Sequence, residues 1–282
     1  MTREAAVSPL ARPLAVTLYF ACHAAAAWLL ALPTTAVVAS TGLGRFPEGD
    51  RLLFEPGGLV LAEITRVLAP ALPAHVASSL GAAVLLGGLL LVPHAALLVS
   101  LARAERETLA ATFARAFSHL PALIALSGLA VLAQTTLMIA TFSVARALRD
   151  AMSSATTRSA DLAWLAAVSL GVIASLAVGI VRDLGRAAVV RDDLDSKAAL
   201  FAGLSSFGRA PGRALSRWLV PALASFSLVA VGAVVTGMLD VSRPGAWRLA
   251  LVTLTHQTVA FALCVCRAYW LRASLDLARD ER

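Results

Sequence analysis

An all-α, polytopic transmembrane bundle of six spans with added interfacial amphipathic helices is the fold class this sequence predicts, and three observations predict it. The chain of 282 residues is 59% hydrophobic and only 15% charged, where a soluble domain carries roughly a quarter charged residues. The mean hydropathy is +0.80. The apolar residues are gathered into runs near the roughly 20 residues needed to cross a hydrocarbon core about 30 Å thick. These runs lack the strict alternation of barrel strands, and a backbone in lipid must satisfy its own polar groups, so the spans are helices.

Six runs are long enough, at about 13–39, 78–101, 121–145, 160–181, 218–240 and 246–271, within a single transmembrane domain covering 1–282. The first has a basic flank and a small-residue end like a signal peptide, but its apolar stretch, about Pro13 to Val38, exceeds the 7 to 15 residues of a signal core. An uncleaved first span is expected. Pro13, Pro121, Pro221 and Pro244 stand near the starts of four spans, where a missing N–H costs little, and read as helix-start signals.

Between spans 1 and 2, the outer elbow 50–70 reads DRLLFEPGGLVLAEITRV over most of its length. Phe54 dips toward the interface, Pro56, Gly57 and Gly58 turn the chain, and Ile64 belongs to the apolar face of a short surface helix. On the other side, amphipathic helices are expected at 108–120, capped by Thr108, and at 196–208, capped by Ser196. The second carries Leu200, Phe201, Leu204 and Phe207 at helical spacing, so both helices should lie along the inner headgroup layer.

Basic residues orient the bundle. With the N-terminus inside, 16 of the 24 Lys and Arg flank the cytoplasmic ends and 8 the outer ends, so both termini are placed in the cytoplasm. All but Lys197 of the basic residues are arginine in an Ala/Leu/Val-dense chain, a coding bias suggesting a GC-rich bacterium and hence a bacterial cytoplasmic (inner) membrane. The net charge of +7 is scattered over these flanks, so lipid headgroups and no nucleic acid are the expected contacts.

The sequence LPALIALSGLAVLA from residue 120 aligns with VPALASFSLVAVGA from residue 220, sharing seven of fourteen residues. A parallel repeat of span, interfacial helix, span is one reading of this echo. Shared membrane chemistry is the other.

Strongly polar residues inside spans are the natural candidates for function because burying them in lipid is expensive. Gln134 in span 3 and Thr253, His256 and Gln257 in span 6 form the candidate polar cluster, read either as interhelical hydrogen bonds or as a spot on a substrate path. His23, His94 and His256 raise a haem or metal reading, yet no CxxCH is present and no helix pairs two histidines on one face. Cys22, Cys264 and Cys266 have neither disulfide nor zinc spacing. No metal or cofactor is expected.

Span 4 supplies a packing face: Ala167, Gly171, Ser175 and Gly179 recur every four residues and permit close helix approach. Asp183 continues that stripe into the inner interface and, next to Arg182, reads as a solvated or snorkelling end of the helix. The acidic run Asp192, Asp193, Asp195 reads as helix-dipole complementation rather than as a cation site. The GxSxG, HExxH and P-loop patterns are lacking, so no catalytic residue is expected and the chain is read as a non-enzyme.

The six-span layout, with LxxxFxxxF preludes ending in Pro-Ala-Leu across about 100–240, resembles bacterial six-span membrane proteins grouped only as membrane domains of unknown function. It also resembles the helical membrane domain attached to some glycerophosphodiester phosphodiesterases. The resemblance implies a multi-pass helical fold and carries over no site residues. The function expected is a partner-binding, assembly or accessory subunit of a membrane complex, meeting the bilayer and either other membrane proteins or further copies of itself. A small transporter with a polar path between spans 3 and 6 is the alternative, and a haem-binding subunit a remoter one.

Overall fold

The computed structural model describes residues 6–40, 66, 69, 72–152, 157–239 and 246–278. They are helical almost throughout, with no strand among the described residues. A 3-10 turn, Pro9–Ala11, leads into α1 (Pro13–Ser40). There follow α2 (Leu72–Leu89), α3 (Leu91–Ala102), α4 (Leu109–Met152), α5 (Thr157–Asp192), α6 (Ser196–Arg209), α7 (Pro211–Met238) and α8 (Ala246–Leu277).

Six segments among the described residues are long and apolar enough to span, with α2 and α3 sharing one of them, Val76–Ala102. Large apolar side chains stand open on these helices, Leu85 at 71% and Phe226 at 74% exposure, a surface that only lipid would cover on this scale. The protein is a multi-pass helical membrane protein.

Prolines mark some helix starts and not others. Pro13 and Pro211 are first residues of α1 and α7, where the fixed φ suits a start. Pro121 and Pro221 instead lie inside α4 and α7. Each forfeits one intrahelical bond, which a long helix held on both sides absorbs. Segment 108–120 is therefore no separate interfacial helix but the opening turns of α4, capped as expected by Thr108, whose Oγ1 accepts from Ala111 N at 3.3 Å. Pro244 lies outside the described residues.

Pro93 does break its span. A proline ring collides with the carbonyl four residues back, which is that of Leu89, where α2 ends. Leu90 N to Leu86 O at 2.8 Å and His94 N to Leu90 O at 3.2 Å carry the chain across the step.

At 1.5 Å per residue, the 44 residues of α4 and 36 of α5 reach about 66 and 54 Å, well past a 30 Å hydrocarbon core. At an offset of 100, the opening of α4 matches the opening of α7, so α6 is an extra helix rather than the counterpart of 108–120. The elbow residues Phe54, Pro56, Gly57, Gly58 and Ile64 lie outside the described residues.

The chain divides into two compact units. One holds residues 1–8, 98–219 and 270–282, with α4, α5 and α6 as its body. In it the chain near the N-terminus is bonded to the last turns of α8: Ala6 N donates to Asp276 Oδ1 at 3.2 Å and Arg272 Nε to Ala6 O at 3.2 Å. Val7 N donates to Leu101 O at 2.9 Å. The other unit holds 9–97 and 220–269, where α1 packs on α2 and the rings of Phe20 and Phe261 meet edge to face at 5.4 Å.

Candidate functional site: a closed polar lock and an open polar face

The first unit is built on small residues. A Cβ on Gly171 would overlap the side chain of Thr141 on α4, and one on Gly179 would stand 3.6 Å from Gln134 Nε2. Gln134 Nε2 donates to the Ser175 carbonyl at 3.0 Å, so three of the four stripe residues meet α4 directly. Ala167 lines, with Gly171, Thr141 and Val144, an open apolar groove of about 610 Å³ between the same two helices.

A second small-residue face was overlooked in the sequence. Ala199, Gly203 and Ser206 are the buried residues of α6. A Cβ on Gly203 would lie 2.6 Å from Val181 O and 2.8 Å from Gly185 N, so α6 and α5 touch backbone to backbone. The signal that could have shown it is the spacing of four and three among small residues, the same logic as span 4, hidden by the more conspicuous Phe201 and Leu204. The cap differs too: Asp195 is the N-cap of α6, accepting from Ala198 N at 2.7 Å, and Ser196 is the first helical residue.

Beneath this packing lies a closed charged cluster. Asp183, expected to be a solvated or snorkelling helix end, is only 2% exposed. Its carboxylate accepts from Trp270 Nε1 at 2.9 Å, from Arg182 Nε at 3.2 Å and from Arg186 Nη1 at 3.4 Å. Arg186, 5% exposed, also donates through Nη2 to Ser127 Oγ at 2.6 Å. Ser127 in turn donates to the Leu123 carbonyl. Asp183 is buried because Trp270 on α8, 87 positions away, sets its indole N–H against the carboxylate and takes the place of water as donor.

The acidic run is likewise absorbed by the fold. Asp193, at φ 55, closes α5 in the left-handed conformation that aspartate tolerates. Its carboxylate lies 3.5 Å from His119 Nδ1. Arg191 reaches the end of α8, donating to Leu275 O at 2.9 Å and Ala278 O at 2.7 Å, where a cation meets the negative end of the helix dipole. Ser127 on α4, Asp183 and Arg186 on α5, and Trp270 on α8 thus tie three helices into one register.

The other candidate residues behave differently. Thr253, His256 and Gln257 of α8 belong to the second unit and are exposed. Their neighbours Thr255 and Thr258 turn their hydroxyls back to Leu251 O and Leu254 O, both at 2.8 Å. Thr253 and Gln257 also continue a row of small side chains, Ala246, Ala250, Ala260 and Cys264, spaced by four and three. That is the period of a helix-pairing seam.

Of the histidines, His23 Nδ1 donates to the Tyr19 carbonyl of its own helix at 2.8 Å. Its ring lies 4.1 Å from that of Tyr19, while His94 lies 6.1 Å from Tyr19 and is buried. The three cysteines are free and half-buried. No group of three His, Cys, Asp or Glu among the described residues could hold a metal ion. Comparison with protein-family models, with curated proteins and with solved structures finds no match to this chain.

Proposed function

We propose that this protein is a non-catalytic assembly or accessory subunit of a membrane complex, lying in a bacterial inner membrane with both termini in the cytoplasm, and that α8 carries the face through which it joins a partner helix. The observation that carries this reading is the exposure of Thr253, His256 and Gln257 within one span. Side chains of this kind facing acyl chains have nothing to bond, whereas across a helix pair each hydrogen bond gains about 0.6 to 2 kcal/mol. The small residues above and below them would let a second backbone come close.

The cluster around Asp183 supports the same reading from the other side. Its carboxylate is already met by three donors and enclosed, which suits a fixed scaffold better than a proton- or ion-conducting step. A transport path along Gln134 and α8 has less behind it, since Gln134 is committed to Ser175.

The test is the set of membrane proteins that co-purify with the tagged chain from its native membranes under mild detergent. A stoichiometric companion, or a stable multiple of this chain, that is lost in Gln257→Leu with Thr253→Leu is the expected result. A monomer with no companion, unchanged by the double variant, would contradict the proposal.

A further inference from the structure

Ala246, Ala250, Thr253, Gln257, Ala260 and Cys264 fall on one seam of α8. From 246 to 264 it runs about 27 Å, nearly the depth of the hydrocarbon core. Its first four members are exposed and the last two half-buried. The chain's own helices meet α8 elsewhere. Val259 stands about 140° round the helix from the seam, and there a Cβ on Gly232 of α7 would lie 2.8 Å from its Cγ2, so α7 packs behind α8. On one flank Phe261 meets Phe20 of α1. Arg248, the one charged residue between 246 and 264, has its guanidinium 5.3 Å from the centre of the Trp247 ring. It stands about 160° from the seam, which therefore carries no charge to repel an identical seam.

The polar members of the seam are their own complement. The amide of Gln257 and the hydroxyl of Thr253 each donate and accept, so each can bond the same group on an identical helix. Neither has a hydrogen-bond partner among the described residues, unlike Thr255 and Thr258, which close on carbonyls of α8 itself. Gln257 lies near the middle of the seam, where a polar side chain fixes register and the number of chains that join. Copies of one chain share a topology, so a two-fold axis along the membrane normal sets residue 257 opposite residue 257.

We infer that the partner of α8 is a second copy of this chain, paired in parallel about a two-fold axis with the two Gln257 amides bonded to each other. This rests on the assembly role proposed for α8 and names its occupant. A helix of another protein would have to bring donors and acceptors of its own to the same depth, whereas the second copy has them by symmetry.

The experiment uses the full chain with Cys22, Cys264 and Cys266 changed to alanine and one cysteine introduced, as Ala250→Cys on the seam or Leu251→Cys off it, and oxidises native membranes. A disulfide needs Cα atoms within about 7 Å, so Ala250→Cys should give a reducible product of twice the chain's mass at about tenfold the yield of Leu251→Cys. Adding Gln257→Leu should lower that yield by about threefold or more, the equivalent of one interhelical hydrogen bond. Gln257→Asn, which keeps the amide, should retain most of it. Equal yields at 250 and 251, or a yield at 250 that Gln257→Leu leaves unchanged, would overturn the inference. A photoreactive residue at 257 separates this failure from that of the assembly role. Capture of a chain of different sequence alone would exclude the second copy and leave assembly through α8 standing, and capture of no protein would remove both.

Discussion

The indole of Trp270 and the carboxylate of Asp183 meet at 2.9 Å, both nearly sealed from solvent, and join the last turns of α8 to the C-terminal part of α5. Removing either partner leaves a buried group short of what it bonds. Asp183→Ala removes the carboxylate that faces the buried guanidinium of Arg186 and should cost about 3 to 5 kcal/mol. Trp270→Phe removes one hydrogen bond to a charged group and should cost about 1.5 to 3 kcal/mol. Thermal unfolding of the purified protein in detergent reads both, and the order Asp183→Ala worse than Trp270→Phe is the expected result.

Gly171 and Gly179 lie on one helical stripe but in different surroundings. Alanine at 171 would overlap Thr141 and should destabilise by about 1 to 3 kcal/mol. Alanine at 179 has ordinary contact at 3.6 Å and should be neutral or gain up to about 1 kcal/mol from better helix propensity. Equal effects of the two substitutions in the same melting assay would count against close approach at Gly171.

Gly203→Leu tests the docking of α6. The backbone atoms of Val181 and Gly185 leave no space for a side chain, so α6 should detach while the spans stay folded. Limited proteolysis should then cut within 193–210 at rates the unmodified chain does not show.

Arg191→Gln should loosen the end of α8 without unfolding the spans, because its guanidinium satisfies two terminal carbonyls. Hydrogen exchange should rise over 272–278 and remain unchanged in the middle of α4.

Much of this architecture was legible in the sequence. The apolar runs were read from length alone, because a span is a one-dimensional requirement of the bilayer. The stripe Ala167, Gly171, Ser175, Gly179 was legible because helical spacing places its members on one face. What was missed depends on partners distant in the chain. Asp183 and Arg186 are three residues apart and visible as a pair, but their burial is set by Trp270 and Ser127 on other helices. Pro121 and Pro221 read as starts because a proline's local preference cannot report whether the helix already exists upstream. Asp195 took the cap assigned to Ser196 because the two neighbours are equally good cap residues and only the backbone chooses between them.

The central claim, that the exposed polar face of α8 meets another helix, is tested most directly by a photoreactive amino acid placed singly at Gln257, at Thr253 and, as the off-face control, at Leu251. After irradiation in native membranes, protein adducts should form at 257 and 253 and be scarce at 251. Adducts of equal yield at all three positions, or at none of them, would contradict it.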